Sequence, residues 1–249
     1  MDHRFSTYLR PLVGVVTLLL FLIGSGDATL SAQNLNDKLM NRPYADLRRW
    51  HLGFSVGLHT QDLSFTHNGL TTEAGEQWFV EQPAFQPGFC VNGLIDYRLG
   101  TYFNIRFTPG MYFGTRDITM RDYNSGNEHR QNLKSALIVL PVDLKYSSLR
   151  YRNSRPYLTA GIMPTVNVSK QSADYLRTKR SDFFLTCGFG CDFYLPYFKF
   201  NPEIKFCFGL GDCLVHDRPD ISEEPEKLVI TQSLTKAVSR MVVLTFYFE

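Results

Sequence analysis

The sequence lacks a hydrophobic run long enough to cross a bilayer as an α-helix. Its longest mainly apolar stretch, "LVGVVTLLLFLI" (residues 12–23), has 12 residues, whereas a transmembrane helix needs about 20. Basic residues, including Arg4 and Arg10, precede this run, and small and polar residues ending in "LSAQN" follow it. This order is typical of a secretory signal peptide, with cleavage expected after Ala32 or Ala28; a retained anchor is the alternative.

The sequence also lacks an excess of charge of either sign and the motifs of nucleotide chemistry. Its 26 Lys and Arg and 24 Asp and Glu leave a net charge of +2, which does not favour a nucleic-acid partner. It contains neither a phosphate-binding loop nor a dinucleotide fingerprint. We therefore expect no nucleic acid among its partners and no cofactor.

Cysteine is scarce. The chain has five cysteines, and an odd number excludes a framework in which every cysteine is paired within the chain. Four of them share one short stretch: Cys187, Cys191, Cys207 and Cys213. Their spacing, C-x3-C and then C-x5-C, loosely resembles a zinc knuckle. The direction of each side chain decides between a metal site and an apolar role.

Aromatic residues are abundant instead, with 20 Phe and 13 Tyr, which is typical of strands or of a lipid interface. Between residues 183 and 193 every odd position is apolar, whereas the even positions are mostly small or polar. After "LPY" (residues 195–197) the alternation resumes and continues through residues 198–210. The pattern predicts a hairpin of two strands, each long enough to cross a membrane when tilted.

The same alternation recurs in six further segments, so the chain is predicted to have eight strands. These segments are residues 51–59, 88–99, 102–114, 135–147, 155–168 and 236–248. Long polar connections alternate with short turns along the chain. The long connections are residues 60–87, 115–132, 169–181 and 211–235, and the short ones are residues 99–101, 148–154 and 195–197.

An even number of strands, long loops at one end, short turns at the other and an aromatic C-terminus are typical of an outer-membrane β-barrel. We therefore predict an all-β fold, an eight-stranded antiparallel transmembrane barrel over residues 51–249. It follows a signal peptide, residues 1–32, and a short periplasmic segment, residues 33–50. Both termini are expected in the periplasm and the long loops outside the cell, with outer-membrane lipid as the partner of the barrel's outer face.

The alternative is a soluble eight-stranded barrel or a sandwich, in which the apolar face points inward. That fold expects an exposed face rich in Lys and Glu. The less apolar face instead mixes Gly, Ser, Thr and Asn with charges of both signs, which favours ion pairs inside a narrow lumen. The charged positions are Asp96, Arg98, Arg106, Asp143, Lys145, Asp182, Asp192, Lys199, Glu203 and Lys205. The prolines in strands, Pro109, Pro141, Pro164 and Pro202, are expected at bulges or strand ends.

The predicted barrel separates the cysteines. Cys187 and Cys191 point outward into lipid, whereas Cys207 points inward. Because Cys213 lies in or near the following loop, the four thiols do not converge, and the role of a small apolar side chain is favoured over a metal site. A disulfide between Cys207 and the inward-facing Cys90 stays open. We predict that Cys187 and Cys191 resist water-soluble thiol reagents and that Cys213 is the most accessible of the group.

Catalytic chemistry has weak support. Enzymes on such barrels need a histidine with a serine or an acid near the outer rim. His59 near Asp62 and His216 beside Asp217 are the candidates, and no Ser-His spacing rises above chance. We therefore predict that the protein is not an enzyme and assign no catalytic, cofactor-binding or metal-binding residues. Eight strands also leave too little interior space for a diffusion channel.

The first long loop contains aromatic residues outside any predicted strand. They are Trp78, Phe79 and Phe85, within "TEAGEQWFVEQPAF". Such residues either fold over the mouth of the barrel or contact another protein. The sequence slightly favours the first interpretation.

The segment "LIVLPVDLKYSSLRYRNSRPYLTAGIMP" (residues 137–164) resembles the PorT-type family of outer-membrane β-barrels. In that family a strand ending in L-P-x-x-L-K-Y precedes a short turn and an R-P-Y-L-x-x-G strand. The matching residues are Leu140, Pro141, Leu144, Lys145 and Tyr146, then Arg155, Pro156, Tyr157, Leu158 and Gly161.

The resemblance implies an outer-membrane accessory of the type IX (Por) secretion system. Such a protein is needed to deliver cargo with a C-terminal sorting domain, so other secretion-system proteins and secreted proteinases and adhesins are the implied partners. The resemblance brings no catalytic residues. A structural or adhesive barrel is the alternative, and a lipid A-modifying enzyme is the less favoured one.

Overall fold

The structure, a computed structural model, describes residues 40–67, 78–81, 86–122, 128–169, 177–215 and 234–249. After a short 3-10 helix, Ala45–Leu47, these residues form β-strands. The strands are β1 Trp50–His67, β2 Trp78–Glu81, β3 Pro87–Arg98, β4 Phe103–Phe107, β5 Gly110–Asp122, β6 Glu128–Val139, β7 Val142–Ser147, β8 Ser154–Asn167, β9 Ser181–Tyr194, β10 Lys199–Gly209 and β11 Leu234–Phe248. None of the described helices is long and apolar enough to span a membrane.

The strands close into a ring of eight wall strands. β4 and β5 are two parts of one wall strand, as are β7 and β6, because each pair follows on in sequence and shares its neighbours. β2 lies outside the ring and pairs with β5. Every pairing is antiparallel, and β1 pairs with β3 on one side and with β11 on the other, which closes the ring. The predicted eight-stranded antiparallel barrel is confirmed.

The barrel has a polar interior and an apolar exterior. Along β10, Lys199, Glu203 and Lys205 are buried in the lumen, whereas Phe200, Phe206 and Phe208 face outward. A soluble barrel would reverse this arrangement. An exterior of Phe, Leu, Ile and Val is stable when lipid covers it, so the alternation identifies a membrane barrel.

The apolar exterior ends part of the way along the strands. On β1 the outward side chains are apolar from Trp50 to Leu58 and polar from Thr60 onward. The apolar part has nine residues, which suits a tilted strand that needs about 9–11 to cross a bilayer. Beyond it the inward face becomes apolar, with a buried cluster that includes Leu63 and Ile118. In one part of the barrel, therefore, the outward face is apolar, as in a membrane protein. In the part above it, the outward face is polar and the inward face is apolar, as in a soluble barrel.

The change of the outward face from apolar to polar explains why two connections, residues 60–87 and 115–132, were predicted to be too long. Residues 60–67 and 115–122 continue β1 and β5, and residues 128–132 belong to β6. Trp78 and Phe79 were also placed outside any strand, but their backbones form β2, which pairs with β5. Phe85 lies outside the described residues. The predicted alternation required an apolar outward face, so it missed strands whose outward face is polar.

Two of the four prolines interrupt wall strands, as predicted. Pro109 separates β4 from β5, and Pro141 separates β6 from β7. Pro164 lies inside β8, beside the Leu140–Pro141 interruption, where its carbonyl accepts a hydrogen bond from the Leu140 amide (3.0 Å). Pro202 lies inside β10, where the pairing with β9 passes from Phe200 to Glu203. A missing amide donor is tolerated at these places because the ladder is already interrupted.

The two ends of the barrel differ. At one end, which we call the short-turn end, lie residues 41–49, the turns at 99–102, 148–153 and 195–198, and Glu249. At the opposite end, called the long-loop end, the chain passes from β1 to β2, from β5 to β6, from β8 to β9 and from β10 to β11.

Candidate functional site

Buried ion pairs occupy the half of the lumen nearest the short-turn end. Arg106 lies on β4, and its Nη1 is 2.9 Å from a carboxylate oxygen of Glu203, while its Nε is 3.3 Å from Asp96. Lys145 on β7 pairs with Asp192 on β9 at 2.8 Å. These side chains are at most 1% exposed. Each cation therefore has an acid opposite it on another strand, which offsets the cost of burying charge.

Further contacts join these pairs into one network. Lys199 lies 3.2 Å from Asp192 and 2.8 Å from Glu249, and Lys205 lies 3.3 Å from Glu203. The Arg106 guanidinium also lies 4.7 Å from the centre of the Tyr247 ring. Eight of the ten charged residues predicted to face the lumen are in the network: Asp96, Arg106, Asp143, Lys145, Asp192, Lys199, Glu203 and Lys205. Large buried side chains thus fill this half of the barrel.

The cysteines lie where the alternation predicts, with one exception. Cys187 is exposed and Cys191 half-buried, both on the outward face of β9, whereas Cys207 is buried in the lumen. Cys90 and Cys207 belong to one buried apolar cluster, and both are free thiols. Within the described part of the chain, no group of three His, Cys, Asp or Glu side chains is placed to hold a metal ion.

Cys213 is the exception. It was predicted to be the most accessible cysteine, but it is only 5% exposed. Its backbone amide donates to the carbonyl of Ala237 at 2.9 Å, and its thiol lies 3.1 Å from the same oxygen. Burial raises the pKa of the Cys213 thiol to about 11. The prediction was wrong because the chain stays against β11 after β10 has ended.

His59 and Asp62, named as candidates from the sequence, do not face each other on β1. His59 points into the lumen and is 2% exposed, whereas Asp62 is exposed on the outer face, opposite Arg240 on β11. Residues an odd number of positions apart on a strand point to opposite faces. His216 and Asp217 lie outside the described residues.

His59 instead belongs to a group of buried polar side chains nearer the long-loop end. This group, the polar cluster, consists of His59, Gln61, Arg116 and Ser135. The Ser135 hydroxyl donates to Gln61 Oε1 at 3.0 Å, and His59 Nε2 lies 3.2 Å from the carbonyl oxygen of Phe113.

Several polar atoms of this cluster have no hydrogen-bond partner among the described residues. They are His59 Nδ1, Gln61 Nε2, and Nε and Nη1 of Arg116. Arg116 is 8% exposed, so its charge is buried. It was missed in the sequence because the predicted strand ended at Gly114, two residues before it.

A groove lies in the barrel wall where the pairing of β3 with β5 stops. β3 pairs with β5 only from Phe89 opposite Phe113 to Asn92 opposite Gly110, and β5 then continues to Asp122. The groove has a volume of about 560 Å³. Its lining includes the inward-facing Gly88, Gly114 and Ser135 and the outward-facing Phe89, Phe113 and Ala136. Residues of both faces therefore line this wall groove.

Gly88 and Gly114, which line the wall groove, leave space for the ring of His59. A Cβ atom on Gly88 would lie 2.5 Å from the His59 ring, and one on Gly114 would lie 3.2 Å from it. The first distance is far below a normal contact, so the ring of His59 packs against this part of the wall only because Gly88 has no side chain.

Positive charge is concentrated at the short-turn end. Residues 41–49, 98–102, 148–155 and 195–198 contain a single acidic residue, Asp46, and Glu249 is the second acid at this end. They contain seven arginines: Arg42, Arg48, Arg49, Arg98, Arg150, Arg152 and Arg155. We call this surface the arginine face.

Backbone carbonyl groups hold several of these arginines. Arg98 donates to the carbonyl of Gly100 at 2.9 Å, Arg150 to that of Arg152 at 2.8 Å and Arg155 to that of Ser148 at 2.7 Å. Carbonyl oxygens satisfy the donors but do not neutralise the charge. Arg150 and Arg155 also lie 3.6 Å and 3.4 Å from Asp46, whereas Arg48, Arg49 and Arg152 are exposed.

Comparison with proteins of known structure finds other barrels. The N-terminal β-barrel domain of Pseudomonas aeruginosa OprF is 13% identical, with a TM-score of 0.36, and the match covers 78% of this chain and 96% of that one. The outer membrane protein OprG from Pseudomonas aeruginosa is 13% identical, with a TM-score of 0.43 and coverage of 79% and 91%. Neisserial surface protein A is 10% identical, with a TM-score of 0.41 and coverage of 80% and 98%.

Comparison with curated proteins finds no match. The family described as "Outer membrane protein beta-barrel domain" matches residues 31–215, which is more than half of the 249-residue chain. Together with the closed ring and its apolar exterior, this match shows that the chain belongs to the outer membrane protein β-barrel domain family.

Proposed function

We propose that this outer-membrane barrel is an accessory component of the type IX secretion system. In this role it supports the translocation and maturation of secreted surface proteinases and adhesins. The resemblance of residues 137–164 to the PorT-type family supports the proposal. The short-turn end and both termini face the periplasm, and the long loops face the cell exterior.

The arginine face is the observation that carries this proposal. Seven arginines share a single end of the barrel with two acidic residues, Asp46 and Glu249, and Asp46 is contacted there by Arg150 and Arg155. Such a surface attracts an acidic protein and raises its association rate. In the proposed orientation it is open to the compartment through which cargo and the other secretion proteins pass.

The filled lumen supports a role in binding rather than in conduction. Arg106 and Lys145 are almost completely buried within the ring, and an eight-stranded barrel has an interior that side chains fill. A protein cargo therefore has no route through this barrel. Its contribution to secretion is to recruit or hold other components at the inner surface of the outer membrane.

A deletion strain tests the proposal. Cargo proteins are followed by fractionation into surface, periplasmic and medium fractions, with the intact gene returned on a plasmid as the control. We expect unprocessed proteinases and adhesins to accumulate in the periplasm of the deletion strain. Normal surface delivery would contradict the proposal.

The same strain distinguishes the alternatives. A structural or adhesive barrel would leave cargo delivery intact and change envelope integrity or attachment. A lipid A-modifying enzyme would change the mass of lipid A.

A further inference from the structure

We propose that the wall groove and the polar cluster behind it form a binding site for a fatty acid, a single acyl chain ending in a carboxylate. The acyl chain lies in the groove and the carboxylate reaches the Arg116 guanidinium inside the barrel. This site is separate from the arginine face, so the proposal does not depend on a role in secretion.

The position of the groove suits an amphiphile. Strand pairing aligns Leu58, Phe89, Phe113 and Ala136 in one outward row, which is the last apolar row before the exterior becomes polar. Phe89 and Phe113 stack there, with ring centres 4.9 Å apart. The groove therefore lies at the level where the hydrocarbon of the membrane gives way to polar groups, and an acyl chain enters it directly from the bilayer.

The size of the groove is that of a small-molecule site. Its volume of about 560 Å³ is within the range of about 300–1,000 Å³ that ligand pockets occupy. Phe89, Phe113 and Ala136 supply apolar side chains to its lining, and Thr115, Lys134, Ser135 and Ser169 supply polar groups, a mixture that also occurs in such pockets.

The buried charge of Arg116 favours the binding of an anion. Arg116 is buried, yet its Nε and Nη1 have no partner within the described part of the chain. Arg106, on the same wall strand, has two carboxylates within 3.3 Å. A buried charge is costly unless an opposite charge pairs with it. A carboxylate supplies that charge and matches the fork of guanidinium donors.

The geometry allows chain and carboxylate to bind at once. Arg116 follows Gly114 by two positions on β5, so the two residues share the inward face about 7 Å apart along the strand. Gln61 Nε2 offers a further donor without a described partner. Ser135 connects the two regions, since it lines the groove and donates to Gln61.

Binding of palmitate to the purified full-length barrel in detergent micelles tests the proposal. Native mass spectrometry gives the stoichiometry, and titration gives the dissociation constant. Hexadecanol tests the need for charge, and acetate tests the need for the chain. We expect one palmitate per barrel, with hexadecanol and acetate each binding at least about tenfold more weakly.

Two variants localise the site. Arg116→Gln removes the charge and should weaken palmitate binding by about 10- to 100-fold, as expected for loss of hydrogen bonds to a charged group. Ala136→Trp fills the groove from the outer face and should abolish binding without a change inside the barrel. Arg240→Gln, an exposed arginine on the outer face of β11, is the matched control and should leave binding unchanged.

Circular dichroism confirms that each variant is folded. Equal binding of palmitate and hexadecanol, or unchanged binding by both Arg116→Gln and Ala136→Trp, would overturn the proposal. Normal secretion in a deletion strain would contradict the proposed function but not the proposed fatty-acid site.

Discussion

Two buried arginines on one wall strand have different surroundings. Arg106, in the half of the lumen nearest the short-turn end, pairs with Asp96 and Glu203 from neighbouring and distant strands. Arg116, ten residues further along, has two donors without a hydrogen-bond partner among the described residues. The first arginine stabilises the structure, and the second is available to a ligand.

The loss of Arg106 should destabilise the barrel strongly. Arg106→Met leaves two buried carboxylates without their main cation, and breaking a buried pair in this way costs about 3–5 kcal/mol. Urea unfolding in lipid vesicles, followed by tryptophan fluorescence, measures the change in unfolding free energy. Arg240→Gln, at an exposed position, should have little effect. A change below about 1 kcal/mol for Arg106→Met would contradict the structural role given to the network.

Cys213 should be inert in the folded protein. Its thiol is buried and has a pKa of about 11, so little thiolate forms near neutral pH. In a variant that keeps Cys213 as its single cysteine, a water-soluble maleimide should react only after unfolding. Tyr197→Cys in a cysteine-free background places a thiol at a position 92% exposed and should react at once. Equal rates for the two thiols would contradict the packing of Cys213.

At the scale of strands, the apolar part of β1 marks the thickness of the membrane. Val56 lies within it and faces outward, whereas Ser64 faces outward above it. We expect Val56→Arg to destabilise the barrel in vesicles by about 2–4 kcal/mol if it lies near the bilayer centre, and Ser64→Arg to have almost no effect. Urea titration of both variants measures the difference. Equal effects would mean that the boundary has been placed wrongly.

The accuracy of the sequence prediction also changed along the strands. The predicted strands at residues 183–193 and 198–210 correspond closely to β9, Ser181–Tyr194, and β10, Lys199–Gly209, because an apolar outward face alternates there without interruption. β1 and β5 continue beyond their predicted ends because the alternation reverses above the membrane. A pattern that assumes lipid on the outside does not detect strands with water on the outside.

The candidate sites were less predictable than the strands. Inward-facing charges follow from alternation, and eight of the ten residues predicted on this basis form the buried ion-pair network. The polar cluster depends on contacts between distant strands, such as that of Ser135 with Gln61. The wall groove depends on where the pairing of β3 with β5 stops. Neither feature has a local sequence signal.

At the scale of the whole molecule, the barrel should not conduct ions as a porin does. Side chains such as Arg106, Lys145 and Tyr247 fill the lumen near the short-turn end, and the network holds them in place. Protein inserted in a planar bilayer should give no regular conductance steps, whereas a porin measured in the same bilayer gives them. Stable, uniform steps from the wild-type protein would contradict the filled lumen.

The proposed function depends on one charged end of a filled barrel. Arg48→Glu combined with Arg49→Glu reverses two exposed charges of the arginine face without a change to the lumen or the lipid-facing surface. Lys179→Glu combined with Arg180→Glu makes the same change near the long-loop end and serves as the matched control. Both proteins must reach the outer membrane in equal amounts.

The most direct test of the central claim is cargo fractionation in a deletion strain that carries each double variant. We predict that the variant of the arginine face leaves proteinases and adhesins unprocessed in the periplasm, while the control restores surface delivery. Full surface delivery with the variant of the arginine face would contradict the account.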